Sequence, residues 1–170
     1  MSADDLTRLM PNDAIAALRS FPRRYREALA VAPDEDLEEL GHRAGPDGRS
    51  AFDAVIDTTA TALTMEQALR DLFHRDEPVL HPSVTDPTRR EWHPPSGVGV
   101  GDSLQLLADA CRDLAQLAVR APSRDWTRPG RVAAGPTVQA IDVVREAVRV
   151  GSANLRAAEH AMRHARRAGA

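Results

Sequence analysis

Residues 137–167 read TVQAIDVVREAVRVGSANLRAAEHAMRHARR, and this stretch decides the fold class of the 170-residue chain. Its apolar residues recur with the period of roughly 3.6 residues that is typical of an α-helix. One stripe consists of Val138, Ile141, Val144, Val148, Leu155 and Met162, and a second consists of Val143, Ala147, Val150, Asn154 and Ala161. Because the apolar arc is wider than one neighbouring helix can cover, we predict a long helix between two partners in a bundle, with Thr137 as its N-cap.

The first predicted helix begins after Pro11, with Asn12 or Asp13 as its N-cap. Pro22 predicts a kink or a local break, because proline removes one backbone donor and crowds the preceding turn. A short acidic turn is expected over 34–40. The inward stripe consists of Ile15, Leu18, Phe21, Tyr25 and Leu29.

Two further helices precede the last one. The first begins at Ser50, which a carboxylate follows three residues later in the pattern of a capping box, and it extends to about Arg75. The other begins at Gly101. Residues 77–100 predict a long crossover and 122–136 predict a loop. The inward faces are Phe52, Val55, Ile56, Thr59, Leu63, Glu66 and Phe73, and then Leu104, Leu107, Cys111, Leu114, Leu117 and Ala121.

These patterns predict one all-α domain over 1–170, a four-helix bundle with frayed ends at 1–10 and 165–170. The chain has only two Trp, one Tyr and three Phe, which disfavours a β-sandwich core. The single cysteine excludes a disulfide framework, and its place in an apolar stripe indicates that Cys111 is a core residue.

Charge and hydropathy limit the partners that we expect. The net charge of -3 disfavours wrapping nucleic acid, although all 22 basic residues are arginine. The first ten residues, MSADDLTRLM, lack the pattern of a secretory leader, and no stretch is long and apolar enough for a membrane helix. We therefore expect a soluble, cytoplasmic protein that binds neither nucleic acid nor membrane.

Five short motifs carry a resemblance to a known family. They are SAFDAVID at 50–57, RDEPVL at 75–80, APSRDWTRPGRV at 121–132, GPTVQAIDVVREAV at 135–148 and NLRAAEHAM at 154–162. Their order and spacing resemble the DinB/YfiT-like superfamily of bacterial four-helix bundles, which includes mycothiol-dependent maleylpyruvate isomerase N-terminal domains and bacillithiol transferases. The composition fits a high-GC, actinobacterial source, for which the resemblance implies mycothiol as the thiol.

The resemblance also implies a divalent metal bound by three histidines, one on the second long helix and a pair four residues apart on the last. On this sequence those positions are Asp57, Val150 and Asn154. A carboxylate can bind a divalent metal, an amide binds it poorly and a valine cannot bind it. We therefore predict degenerate ligands and no metal cofactor, while a thiol cosubstrate stays compatible with the resemblance.

The candidate ligand-binding pocket consists of Asp53, Asp57, Val150, Asn154 and Trp92. Asp53 and Asp57 form an acid/base pair if they are buried, or a solvated helix face if they are exposed, and helical projection favours the solvated face. Trp92 can act as a lid or a hydrophobic anchor over the end of the bundle.

None of the six histidines lies at the positions that the resemblance implies for the metal ligands. His74, His81 and His93 surround the crossover, and we interpret them as incidental. His160 and His164 are four residues apart, but a solvated basic terminus is favoured there over a metal site or a nucleic-acid patch.

Two remaining features have structural interpretations. Trp126 is predicted to seal one end of the core. Arg145 and Glu146 are predicted to form an ion pair on the last helix.

Three functional hypotheses follow. The first is a metal-free, non-catalytic bundle that acts as a small-molecule-binding or interaction module, with homodimerisation through the wide apolar stripes. The second is a thiol-dependent S-transferase or isomerase with a remodelled site that uses Asp57 and loop histidines. The third, nucleic-acid binding, depends only on the C-terminal arginines and is disfavoured.

Overall fold

Four long helices and one short helix form most of the molecule in a computed structural model that describes residues 8–33, 35–90 and 92–169. The helices are α1 (Pro11–Ala28), α2 (Leu37–His42), α3 (Ala51–His74), α4 (Val100–Val119) and α5 (Ala140–Gly169). Both α1 and α3 pack against α4 and α5, so each long helix has two long neighbours. This confirms the predicted all-α bundle, in which α5 lies between two partners. No described helix combines the length and apolarity needed to cross a membrane.

Two details of α1 differ from the prediction. The N-cap is Met10, not Asn12 or Asp13, because Pro11 takes the first helical position. A backbone N–H at that position has no intrahelical acceptor, so proline costs the helix no hydrogen bond there. The helix also continues through Pro22 without a break. Buried Phe21 and Tyr25 hold the turns on either side of the proline against the core.

Side-chain caps fix the next two helix starts. Asp36 caps α2 by accepting from two backbone N–H groups, while Asp34 of the predicted acidic turn lies outside the described residues. The capping box at the start of α3 is confirmed, because Ser50 accepts from the Asp53 backbone and Asp53 accepts from the Ser50 backbone. The start of α4 has no cap of its own, and Glu38 of α2 accepts from the N–H of Val100 instead, at 2.9 Å.

A three-stranded sheet lies beside the bundle, and we did not predict it. Its strands are β1 (Val79–Leu80), β2 (Pro129–Val132) and β3 (Thr137–Gln139). β1 pairs with β2 in parallel, and β2 pairs with β3 in antiparallel fashion. Thr137 therefore starts a strand instead of capping the last helix, which begins at Ala140.

The predicted stripes account for most of the core, and α3 departs from its predicted stripe most. On α3, Phe52, Ile56, Leu63 and Phe73 are only half-buried, whereas the core positions include Ala54, Thr58, Met65, Leu69 and Leu72. Cys111 is buried, as predicted. Trp126 is buried with its ring edge-on to Phe73, the ring centroids being 6.1 Å apart, which agrees with its predicted sealing role.

The C-terminal helix continues into the stretch where we expected fraying. We predicted fraying over 165–170, whereas α5 extends to Gly169 and Ala165 is buried. Arg166 contacts Glu35 and the backbone of Ala30, which ties the last turns of α5 to the segment after α1. Ala170 lies outside the described residues.

Candidate functional site

Asp57 of α3 and Asn154 of α5 are in direct contact at the interface of the two helices. The Nδ2 of Asn154 donates to Asp57 Oδ2 and to Thr58 Oγ1, each at 3.1 Å. Val150 lies one helical turn before Asn154, and both are buried. The structure therefore brings together two of the predicted pocket residues and places the third next to them.

The guanidinium of Arg49 bridges the same two side chains. Its Nη2 lies 3.2 Å from Asp57 Oδ2, and its Nη1 lies 3.4 Å from Asn154 Oδ1. Arg49 directly precedes Ser50, the N-cap of α3. The capping box of Ser50 and Asp53 therefore fixes the position at which the chain leaves Arg49 and enters the helix. Its side chain is 42% exposed, and the ion pair itself therefore contributes at most about 1 kcal/mol to stability.

Beneath Asn154, a buried pair of hydroxyl groups continues the hydrogen-bond network into the core. The hydroxyl of Tyr25 lies 2.7 Å from Thr58 Oγ1 and donates to the carbonyl of Gly151 at 3.1 Å. Burial raises the pKa of Tyr25 well above its usual value, so the phenol is neutral in the folded protein. The network therefore extends from the core to the surface, with the charged groups at its outer end.

Asp53 and Trp92 do not join this network. The carboxylate of Asp53 accepts from the backbone N–H and the hydroxyl of Ser50, both at 2.8 Å, so it serves the helix cap. The two carboxylates have separate partners, so the acid/base pair, the less favoured of the two interpretations, is not formed. Asp53 is exposed and Asp57 is half-buried. Trp92 is half-buried in the crossover.

Arg90 of the crossover is the residue that sequence reasoning missed. Its side chain is only 2% exposed. Nη1 donates to Thr61 Oγ1 at 2.8 Å, and Nε donates to the carbonyl of Ser83 at 3.2 Å. Burial lowers the pKa of Arg90, while Asp57 and Glu146 act in the opposite direction. The sequence does not distinguish it from Arg89, which is exposed and pairs with Asp86.

Glu146 faces Arg90 from α5, and the predicted pair of Arg145 with Glu146 is wrong. Arg145 pairs with Asp142, and Glu146 accepts two hydrogen bonds from Arg149, at 2.6 and 2.7 Å. Residues one apart on a helix point in different directions, whereas residues three apart are neighbours. A cavity of about 260 Å³ lies beside Glu146 and Arg149.

Comparison with known proteins finds similarity at the level of the structure. No family model and no curated protein matches the sequence. Among solved structures, the chain is similar to YfiT from Bacillus subtilis, with a TM-score of 0.72 and 15% identity over 99% of this chain and 90% of YfiT. This chain has the YfiT fold. YfiT is described as a probable metal-dependent hydrolase with an unusual four-helix bundle topology. At this identity the likeness shows the shared fold alone.

The other chemically active side chains of this YfiT fold have structural surroundings. His81 Nδ1 lies 2.7 Å from the Ser83 hydroxyl and caps a short 3-10 helix. His74 contacts the backbone of its own helix, and His93, His160 and His164 are exposed. Among the residues that the structure describes, no three His, Cys, Asp or Glu side chains are grouped so that they could hold a metal ion.

Proposed function

We propose that this chain is a metal-free, non-catalytic member of the YfiT fold that acts as a small-molecule-binding module. The main support for the proposal is the bridge that Arg49 forms between Asp57 and Asn154. Its guanidinium hydrogen-bonds to Asp57 and Asn154, the two polar side chains at the positions where the resemblance places metal ligands.

The donor set at these positions does not fit a divalent metal. Val150 offers no donor atom, and the Asn154 amide uses both its oxygen and its nitrogen in hydrogen bonds. Asp57 is the remaining charged oxygen ligand, and its carboxylate is already neutralised by Arg49. Because catalytic sites of this kind need about three protein ligands, a metal here would lack most of its coordination shell.

The surroundings of the nucleophile candidates also support a non-catalytic role. Burial raises the pKa of the Cys111 thiol to about 12, so the reactive thiolate is absent at neutral pH. Ser83 is buried, and its hydroxyl partner His81 serves as a helix cap. His81 Nδ1 lies 2.7 Å from the Ser83 hydroxyl, but it also accepts from the Ser83 backbone N–H at 3.2 Å. Among the described residues no third side chain hydrogen-bonds to the His81 ring and orients it as a base.

The second candidate is a thiol-dependent transferase or isomerase of the mycothiol type with a remodelled site. It requires Asp57 and crossover histidines to converge on one ion or one thiol. The contacts of His74 with its own helix and of His81 with Ser83 provide no such convergence. We therefore prefer the binding module.

Metal analysis of protein purified without a histidine tag tests the proposal. We expect zinc, nickel and iron to be far below one equivalent per chain, both before and after incubation with each metal and gel filtration. Stoichiometric metal in the wild-type protein would contradict the metal-free site. The same samples, assayed with mycothiol and a chromogenic electrophile, should show no rate above that of free mycothiol. Enzyme-dependent conjugation would favour the transferase instead.

A further inference from the structure

A second cavity, of about 320 Å³, lies between α3 and the crossover. Its apolar wall includes Ala68 of α3, Leu80 of β1 and Val84 of the crossover, and all three are buried. The volume falls within the range of about 300–1,000 Å³ that is typical of small-molecule sites. None of the side chains that hydrogen-bond to Arg49 lines this cavity, so it is separate from the site described above.

The crossover wall of the cavity is fixed by contacts within the protein. Residues Pro82–Val84 form one turn of 3-10 helix, and the buried guanidinium of Arg90 donates from Nε to the carbonyl of Ser83 at 3.2 Å. Leu80 belongs to β1, which pairs with β2. A wall that is already in place favours binding, because little conformational entropy is lost when a ligand enters.

His81 supplies a hydrogen-bond donor at the edge of this cavity. The backbone N–H of Ser83 can only donate, and it lies 3.2 Å from His81 Nδ1. Nδ1 of the neutral ring is therefore an acceptor without a proton, and the ring proton is on Nε2. Nε2 makes no hydrogen bond within the part of the chain that the structure describes, so its N–H can donate to a ligand.

The charged groups at this cavity favour an uncharged ligand. Among the described residues, Asp71 is the one acidic or basic side chain, histidine aside, that lines it. The Asp71 carboxylate lies 3.5 Å from Arg75 Nε and accepts from Gln67 Nε2 at 3.3 Å, so it is already paired. It would repel the carboxylate of an acid. An ammonium group would leave water for an apolar wall without gaining an unpaired carboxylate, which costs free energy.

We propose that this cavity binds a small uncharged molecule with an aliphatic body and one oxygen acceptor, such as a ketone. This assignment deepens the proposed binding function and rests on it. The aliphatic body packs against Leu80 and Val84, and the oxygen accepts a hydrogen bond from Nε2 of His81. Burial of the apolar body and one neutral hydrogen bond both contribute to affinity, and neither requires a charge on the ligand.

Titration of the ¹⁵N-labelled full chain by NMR tests this assignment. The probe is 4-methylpentan-2-one, compared with 4-methylpentanoate and 4-methylpentylamine, which have a similar branched body with a negative or a positive end. A molecule of this size is expected to bind with a Kd of about 1 mM. We expect the ketone to shift the backbone amides of 63–71 and 80–85, and each charged analogue to bind at least about tenfold more weakly.

His81→Asn separates the outer donor from the helix cap. The asparagine oxygen can still accept from the Ser83 backbone N–H, because asparagine is a good N-cap residue, but no N–H remains at the place of Nε2. We expect the ketone affinity to fall by about threefold to tenfold, since one neutral hydrogen bond is lost. His93→Asn is the matched control and should leave the affinity unchanged, because His93 is an exposed histidine of the same crossover that does not line the cavity.

Thr64→Phe is a second test that leaves His81 and its cap intact. Thr64 lines the cavity from α3 and is half-buried, so a larger side chain there can fill the space from its edge. This variant should abolish the shifts that the ketone causes, while the remaining amide signals report that the fold is kept. It decides the question if His81→Asn does not fold.

Several outcomes would overturn the ketone site. These are equal or tighter binding of either charged analogue, shifts confined to other parts of the chain, an unchanged affinity in His81→Asn, or no shift at about ten times the expected Kd. Metal analysis of the same samples separates this result from the proposed function. Absent ketone binding in metal-free protein overturns the site alone, whereas stoichiometric metal overturns the metal-free proposal.

Discussion

At the scale of single residues, Asn154 and Arg49 satisfy each other's hydrogen-bonding groups beside Asp57. An amide carries both a donor and an acceptor, so Asn154 can donate to Asp57 and accept from Arg49 at once. A histidine at the same position would offer one donor and one acceptor on opposite sides of its ring. If the resemblance places the ligands correctly, asparagine in place of histidine gives a site that is internally hydrogen-bonded and needs no ion.

The Tyr25 hydroxyl should contribute to stability through this network. Tyr25→Phe removes the hydroxyl that contacts Thr58 and donates to the carbonyl of Gly151, so two buried hydrogen bonds are lost. We expect the free energy of unfolding to fall by roughly 1–2 kcal/mol in urea denaturation. Ser20→Ala, which removes a hydroxyl bonded only to its own helix, is the control and should have little effect. Equal losses in the two variants would argue against the network.

The Cys111 thiol should make stability pH-dependent in the alkaline range. An unfolded thiol has a pKa of about 8.5, whereas burial raises the pKa of Cys111 to about 12. Below about pH 8.5 both states keep the proton, and above it the unfolded state releases it first, so stability falls as the pH rises. Between pH 7 and 9.5 we expect Cys111 to account for about 1 kcal/mol of this decrease.

Urea denaturation of the wild type and of Cys111→Ala at both pH values measures this difference. The variant loses packing at every pH, so only the change between the two pH values is informative. An identical pH dependence in the two proteins would show that the buried thiol is not responsible.

At the scale of elements, the long helices could be predicted because each carries a repeated signal. The members of the two predicted stripes that lie on α5 are all buried, and the Ser50 capping box determines where α3 begins. β2 and β3 were missed because they are only four and three residues long, too short for a periodic pattern. Their pairing depends on contacts that are distant in sequence, β1 with β2 above all.

The candidate site was predictable to a smaller extent. Asp57, Val150 and Asn154 could be named because the resemblance aligned two helices. Arg49 and Arg90 could not be named, because both precede or follow helices in irregular segments whose path is set by tertiary packing. The local sequence does not show which of the 22 arginines is buried.

The crossing of α1 and α5 depends on a glycine at their contact. A Cβ added to Gly151 would lie 2.6 Å from Cε2 of the buried Phe21 ring. Gly151→Ala should therefore lower the free energy of unfolding by roughly 1–3 kcal/mol, because the two helices must move apart.

Gly101→Ala on α4 is the matched control, since a Cβ there meets no atom within 4 Å. This variant should be neutral or more stable by up to about 1 kcal/mol, because alanine is the better helix former. Thermal and urea unfolding of both variants would measure the difference. A Gly151→Ala protein as stable as the wild type would show that the helices have room at this point.

At the scale of the whole molecule, the wide apolar arc of α5 has an explanation within one chain. Its second stripe, which includes Val143, Ala147 and Val150, is buried within the chain. We predicted homodimerisation because the apolar arc is wide. Since the arc is buried within the chain, its width no longer supports a dimer, and homodimerisation stays a prediction. The mass of the purified protein by light scattering would test it.

The metal site of the fold should be restorable if our placement of its ligands is right. The triple change Asp57→His, Val150→His and Asn154→His puts a histidine pair four residues apart on α5 opposite a third ligand on α3. Adding Arg49→Ala removes the cation that lies between these positions and would repel the ion. We expect the fourfold variant to bind about one zinc and to gain thermal stability in its presence, since a ligand of the folded state alone is stabilising.

The control is Ala153→His with Ala157→His, an equally spaced pair displaced by three residues along the same helix and lacking the ligand from α3. It should bind zinc far more weakly, and neither zinc nor a chelator should shift the unfolding temperature of the wild type. If the fourfold variant folds and remains metal-free, the three positions are not those of the ancestral ligands. The absence of histidine there would then carry no information about the loss of catalysis, and the binding-module proposal would depend on the contacts of Arg49 alone.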